Sequence, residues 1–163
     1  MARTNEECGA WVTELLEIGP DESVLEIGFG PGVTIRHLSK LAGHVAGIDP
    51  SREMVQQARA RNAKAIEGGR VDLRQGSVES LPFANNTFDN TVAINSMQVW
   101  PHAIAGLREI RRVMRSGGRI ALGFTRYSGQ PSEELPQTLR TAGFTEAQIV
   151  SKGQDFCALA VRP

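Results

Sequence analysis

Only two cysteines, Cys8 and Cys157, occur in the 163 residues, and neither belongs to a CxxC pair or a Cys/His cluster. That excludes a disulfide framework and a zinc centre, and the expected compartment is reducing and cytoplasmic. Nowhere do about 18 apolar residues run together, and the opening MARTNEECGAW lacks the apolar centre of a secretory leader, so no membrane partner is expected. Excess charge is also missing: 18 Lys plus Arg balance 18 Asp plus Glu. Without a global field to gather polyanions, nucleic acid is not an expected partner. Aromatic residues make up only 6%, so those beside a candidate site stand out.

What is present is a mixture of 40% apolar and 22% charged residues, typical of a folded chain. Its length suits one domain over residues 1–163, an N-terminal helix (1–19) followed by a core (20–163), burying roughly 70% of the unfolded chain's surface. Two periodicities alternate, which indicates an α/β fold. Strands are expected at Ser23–Ile27, His44–Asp49, Val71–Gln75, Phe88–Asn95, Arg119–Thr125, Glu146–Ser151 and Phe156–Val161. The clearest helix is Pro101–Met114, with Ile104, Leu107, Ile110 and Met114 on one face, Pro101 in its first turn and Gly117-Gly118 as its stop. Ser51 is placed to cap the helix of Met54, Val55 and Ala58. The short KGQD connection with Gly153 makes the last two strands an antiparallel hairpin. The expected architecture is a Rossmann-like, doubly wound, seven-stranded and mostly parallel sheet with helices on both faces.

The segment VLEIGFGPG sets Gly28, Gly30 and Gly32 at alternate positions just after the first strand. Ligands of such sheets bind beyond the strand C-termini, and glycine lets a backbone approach another group closely. Two readings follow from the loop alone: a tight strand-to-helix turn, or a cradle for a flat polar cofactor. Asp49 ends the next strand, 21 positions after Gly28, where a carboxylate can accept bonds from both hydroxyls of a ribose. Its structural alternative is a turn residue helped by Pro50. Val33 stands where a dinucleotide loop, GxGxxG, needs its third glycine. Glu26 would repel a pyrophosphate but suits a cationic ligand; its structural alternative is a strand-end residue that caps loop amides.

LEIGFGPG, GIDPSREM, GSVESLPFANNTFD and LREIRRVMRSGGRI, in this order, resemble the motifs of class I S-adenosylmethionine-dependent methyltransferases, especially the small-molecule, quinone-biosynthesis-like branch. The resemblance spans essentially the whole chain and implies S-adenosyl-L-methionine as cofactor, with no metal. It implies that Glu26, Gly28, Phe29, Gly30 and Gly32 surround the methionine and ribose, that Asp49 and Pro50 take the ribose, and that Met54, Ser77 and Val78 lie near the adenine. Many relatives carry aspartate where Ser77 stands. Met54 reads equally as a helix-core residue, and Leu81, Pro82 and Phe83 as a loop packed on the core or as flanks of the base.

On the acceptor side the resemblance brings INSMQVWPH into play: Asn95 and Gln98 as lining, Trp100 as a stacking platform and His102 as a base, with Tyr127 beyond the fifth strand. The alternatives are a packed tryptophan and a solvated histidine. NSMQ is not the NPPY-like signature of relatives that methylate adenine or amide nitrogen, and no cap is inserted after strand five. The expected acceptor is a small aromatic or apolar molecule, in a pocket left open or completed by the helix around Trp11 and Leu15 or by a second copy in a homodimer. A catalytically inactive cofactor-binding regulatory or scaffold subunit, and an NAD-dependent oxidoreductase, are the competing functions.

Overall fold

The computed structural model describes residues 2–163, with side chains from residue 4 onward. Seven strands form one sheet: β1 (Ser23–Ile27), β2 (His44–Asp49), β3 (Val71–Gln75), β4 (Phe88–Ile94), β5 (Met114–Phe124), β6 (Thr145–Lys152) and β7 (Asp155–Val161). Their order is β3-β2-β1-β4-β5-β7-β6. The first five run parallel, while β7 pairs antiparallel with both β5 and β6. Strand order reverses between β1 and β4, which opens the crevice where ligands of doubly wound sheets sit. The β6–β7 turn uses Gly153 at φ +62°, as its permissive backbone predicts.

β1 is buried on both faces because its side chains alternate between two cores. Leu25 and Ile27 join Leu107, Ile110 and Leu135 on one side. Val24 joins Cys8, Val12, Leu16, Ile35 and Val55 on the other. Helices α1 (Ala2–Leu16), α2 (Val33–Leu38) and α3 (Arg52–Arg61) belong to the second layer, and α5 (Ala103–Val113) and α6 (Leu135–Thr141) to the first, with α4 (Ala63–Glu67) leading into β3. Val12 reaches within 2.6 Å of where a Cβ on Gly123 would stand, so that strand glycine is what lets α1 lie flush on β5. Ser51 caps α3 as expected, its Oγ accepting the Met54 N–H at 3.2 Å.

Two punctuation signals work differently from their sequence reading. Pro101 lies outside α5, whose N-cap is His102. Gly117-Gly118 do not stop that helix, which ends at Val113; they lie inside β5, which begins at Met114. The reason is space and pairing. Gly117 takes φ +82°. Its N–H donates to the Arg162 carbonyl, and a Cβ on Gly118 would come within 2.7 Å of the Asp89 carbonyl.

Both sheet edges carry side-chain or backbone obstructions. Just before β3 the Arg70 carbonyl accepts the Val45 N–H of β2, so by alternation the Leu73 carbonyl faces outward; Arg59 Nη2 donates to it at 2.7 Å. At the other edge β6 is interrupted between Thr145 and Gln148, with Glu146 at φ +54°.

Candidate functional site

The β1–α2 loop bends around three left-handed glycines: Gly28 at φ +71°, Gly30 at +54° and Gly32 at +86°. Each has its own surroundings. A Cβ on Gly32 would fall 2.7 Å from the Ala58 Cβ, so this glycine exists for packing against α3. A Cβ on Gly28 would collide with Ser96. Around Gly30 nothing lies within 4 Å of the position a Cβ would take, so its bareness serves no contact within the protein. The loop is tied to β2 by the Gly28 N–H, which donates to the Ile48 carbonyl at 2.8 Å.

Asp49, 6% exposed at the tip of β2, joins both sides of the crevice. Its Oδ2 accepts the Gly30 N–H and its Oδ1 the Ser51 N–H, each at 2.9 Å. The carboxylate thus holds the glycine loop against the α3 N-terminus and keeps unused lone pairs toward the crevice.

A cavity of about 430 Å³ opens along this line. The strand ends and loops of β1, β2 and β3 contribute Ile27, Gly28, Ile48, Asp49, Pro50, Gly76, Ser77 and Val78 to its lining, and the segment after β4 contributes Asn95, Ser96, Val99, Trp100 and Pro101. Gly28 also borders a second lobe of about 220 Å³, lined by Asn5, Glu6, Glu26, Phe29, Gly30, Pro31 and Thr34 among others. The sequence-predicted residues Glu26, Gly28, Phe29, Gly30, Asp49, Pro50, Ser77, Val78, Asn95 and Trp100 therefore meet around one bent groove. Gly32 supports the loop from behind. Met54 is half-buried and lines neither lobe.

Glu26 is only 2% exposed, and its Oε2 finds no hydrogen-bond partner. Burial first, and then the Asp49 charge, push its carboxyl well above the usual carboxylate range. A buried acid with an unmatched oxygen at the wall of a lobe suits a donor-bearing, positively charged guest.

After β4, Trp100 Nε1 donates to Ser96 Oγ at 2.8 Å, and the ring edge packs against Gly106 of α5, so the indole is held as a wall. Asn95, at φ +47°, spends its amide elsewhere: Nδ2 donates to Asn5 Oδ1 at 2.8 Å and to Thr125 Oγ1 at 2.9 Å, and Oδ1 accepts the Thr125 N–H. It borders the cavity but points its functional group at α1 and β5. His102 is exposed and outside the cavity lining; its backbone N–H donates to Glu79. Tyr127 is 64% exposed beside Arg126 and does not line the cavity. Leu81 and Phe83 pack into the core, Phe83 edge-on to Phe88 at 5.2 Å.

Residues 24–118 match the family model described as a methyltransferase domain. The chain belongs to the class I S-adenosylmethionine-dependent methyltransferases. The uncharacterized methyltransferase YdaC of Bacillus subtilis is 28% identical to this methyltransferase, over 100% of this chain and 96% of that protein. The demethylmenaquinone methyltransferase of Corynebacterium kroppenstedtii is 36% identical over 66% of this chain, a match that spans 43% of that protein. Among solved structures, a methyltransferase from Aquifex aeolicus dependent on the same cofactor superposes with TM-score 0.82 at 22% identity, covering 95% of this chain and 89% of that one. The methyltransferase takes S-adenosylmethionine as cofactor, and the groove fits it: the bare backbone at Gly30 and the unmatched Glu26 oxygen are features the protein does not use for its own packing.

Sequence reasoning missed Ser96 and Val99 of the cavity and Asn5 and Glu6 of the second lobe. Ser96 stands four positions before Trp100, a spacing that brings two side chains together across a helical turn. Asn5 and Glu6 carry no local signal, because only docking of α1 brings them there; Trp11 and Leu15, expected at the acceptor side, pack on the second core instead. Among the described residues no group of three or more His, Cys, Asp or Glu is arranged to hold a metal ion, and no helix is long and apolar enough to cross a membrane.

Proposed function

We infer that the methyltransferase acts on a small, flat and largely apolar acceptor that lies against Trp100. The observation that carries this reading is the held indole, which with Val99 and Pro101 gives an apolar wall to the cavity that Asp49 also lines. Relatives support it. One is the demethylmenaquinone enzyme; another is a rice 2-methyl-6-phytyl-1,4-hydroquinone methyltransferase, 34% identical over 58% of this chain and 27% of that protein.

In this reading Asp49 accepts the ribose hydroxyls while it keeps the Gly30 and Ser51 amides, and Pro50 borders the sugar. Ser77 and the backbone of Val78 meet the adenine. Gly28 and Gly30 let the sulfonium-bearing chain run close to the loop, Gly32 and Phe29 hold that loop in shape, and Glu26 faces the ammonium end. When bound, S-adenosylmethionine supplies an activated methyl group on a sulfonium, so the protein's task is alignment and exclusion of water, for which effective molarities of about 10⁵ M or more are known. Trp100 orients the acceptor, Ser96 holds Trp100, and Asn95 fastens the strand end that carries them. His102 stands outside the cavity, so we assign it no proton transfer. Val99, exposed along the cavity lining, leaves an apolar rim for a second copy of the chain to cover.

The test is methyl transfer from labelled cofactor to a panel of quinols, phenols and aliphatic amines. Flat acceptors are expected to turn over, and Trp100→Ala should raise their KM at least tenfold while S-adenosylhomocysteine affinity stays within about twofold, as loss of roughly 1.5 kcal/mol of aromatic contact implies. Turnover confined to the amines, or a Trp100→Ala enzyme with unchanged KM, would refute it.

A further inference from the structure

Two carboxyl groups in unequal surroundings border the groove, Asp49 in the first cavity and Glu26 in the second lobe. Asp49 has each of its oxygens bonded to a backbone N–H. Glu26, one strand away, is buried to the same degree but leaves Oε2 without a donor. Burial without a donor, beside a neighbouring carboxylate, favours the protonated form of Glu26.

Among the described residues, the elements facing Glu26 bring two further acids near it and no Lys or Arg to the lobe wall. From β2 comes the Asp49 charge, and from α1 comes Glu6, which lines the same lobe. From β4 the neighbours Val92 and Ile94 are uncharged. α2 contributes Thr34 to the lobe, with His37 beyond it in the adjoining depression shared with Glu6. Among the described residues no Lys or Arg lines the lobe. We propose that Glu26 holds a proton in the empty lobe and releases it to solvent when an organic ammonium group binds there, so that the lobe exchanges a proton for its cationic guest. The buried carboxyl's upward shift agrees with this, and the neutral acid also explains how an unmatched oxygen is tolerated in the empty protein.

The consequence is proton-linked binding. It rests on the assignment of the second lobe to the amino-acid end of the cofactor. Affinity for ligands with an ammonium should rise with pH across the range in which empty Glu26 titrates, and level off above it.

Calorimetry of the whole protein in buffers of different protonation enthalpy, between about pH 5 and 8, reads the released proton directly. S-adenosylhomocysteine, which carries the ammonium, should release up to about one proton per site, and 5′-deoxy-5′-methylthioadenosine, which lacks it, none. Glu26→Gln should abolish the release and the pH dependence while affinity for methylthioadenosine stays unchanged. Binding of both nucleosides with no proton released, or equal release by both, overturns the proposal and leaves the cofactor assignment standing. Failure of both nucleosides to bind overturns the assignment and the proposal together. Should the Gln variant fail to fold, the buffer comparison on the unaltered protein decides alone.

Discussion

Gly30 and Gly32 have the same backbone hand but different neighbours, and alanine at each position should therefore fail in different ways. At Gly30, φ +54° costs an alanine about 1–2 kcal/mol, and nothing within 4 Å adds to that. At Gly32 the same strain is joined by contacts at 2.7 Å to the Ala58 Cβ, 2.9 Å to its Cα and 2.8 Å to Asn62 Nδ2, which is itself held by bonds to the Gly32 and Ala58 carbonyls. Overpacking of this kind costs about 1–3 kcal/mol more, for a total of about 2–5 kcal/mol. With about 2–4 °C per kcal/mol for a chain of this size, Gly30→Ala should lower the melting temperature by about 2–8 °C and Gly32→Ala by about 4–20 °C. Binding should rank the other way. The new methyl at position 30 projects into the groove and should weaken S-adenosylhomocysteine at least tenfold, whereas the one at position 32 points away into α3. Thermal denaturation paired with calorimetry at a temperature where both variants are folded reads both effects. A Gly30→Ala protein that binds normally, or a Gly32→Ala protein that melts no lower than Gly30→Ala, would show that the loop is merely a turn.

Asp49→Asn should cost both stability and affinity: an amide accepts at one oxygen only, so either Gly30 or Ser51 loses a charge-assisted bond worth about 1.5–3 kcal/mol, visible as a lower melting temperature together with at least tenfold weaker nucleoside binding. A variant that loses affinity with an unchanged melting curve would count against the bridging role. Burial, aided by Asp155, lifts Cys8 to about 11, and burial, aided by Cys8, lifts Cys157 to about 12. Both lie above the ordinary thiol value of about 8.5, so the folded chain binds more protons than the unfolded one from there upward; stability should be full below that pH and fall as pH climbs toward 11–12, with a Cys8→Ser/Cys157→Ser protein showing a shallower decline in urea titrations.

Much of this was legible in the chain because the relevant signals are local. Ser23–Ile27, His44–Asp49 and Val71–Gln75 are apolar or alternating runs bounded by turns, and they are strands with those bounds. The parallel core and the antiparallel final hairpin likewise follow from helical connections in one case and a glycine turn in the other. Glu26, the glycines and Asp49 are found because a strand end fixes where its next residues point. What could not be read depends on distant partners. Gly117-Gly118 look like a helix stop, yet the Arg162 carbonyl, supplied from the end of the chain, draws them into β5. Asn95 sits where lining residues belong, but Asn5 and Thr125 occupy its amide. The same holds for Asp49: its place in the sequence offers a ribose acceptor or a turn residue, while the bonds to Gly30 and Ser51 make it a clasp between the glycine loop and α3 as well.

The sheet also governs how molecules of this enzyme can meet. A rim strand normally offers a ladder onto which a neighbour's chain can zip; here the Arg59 guanidinium already occupies the outward Leu73 carbonyl, and the kink at Glu146 spoils the opposite rim. Sideways growth into longer sheets, and the fibrous deposits that follow from it, are thereby discouraged at both ends. Self-association is left to helix surfaces and the groove's entrance, where a neighbour would meet arriving substrate.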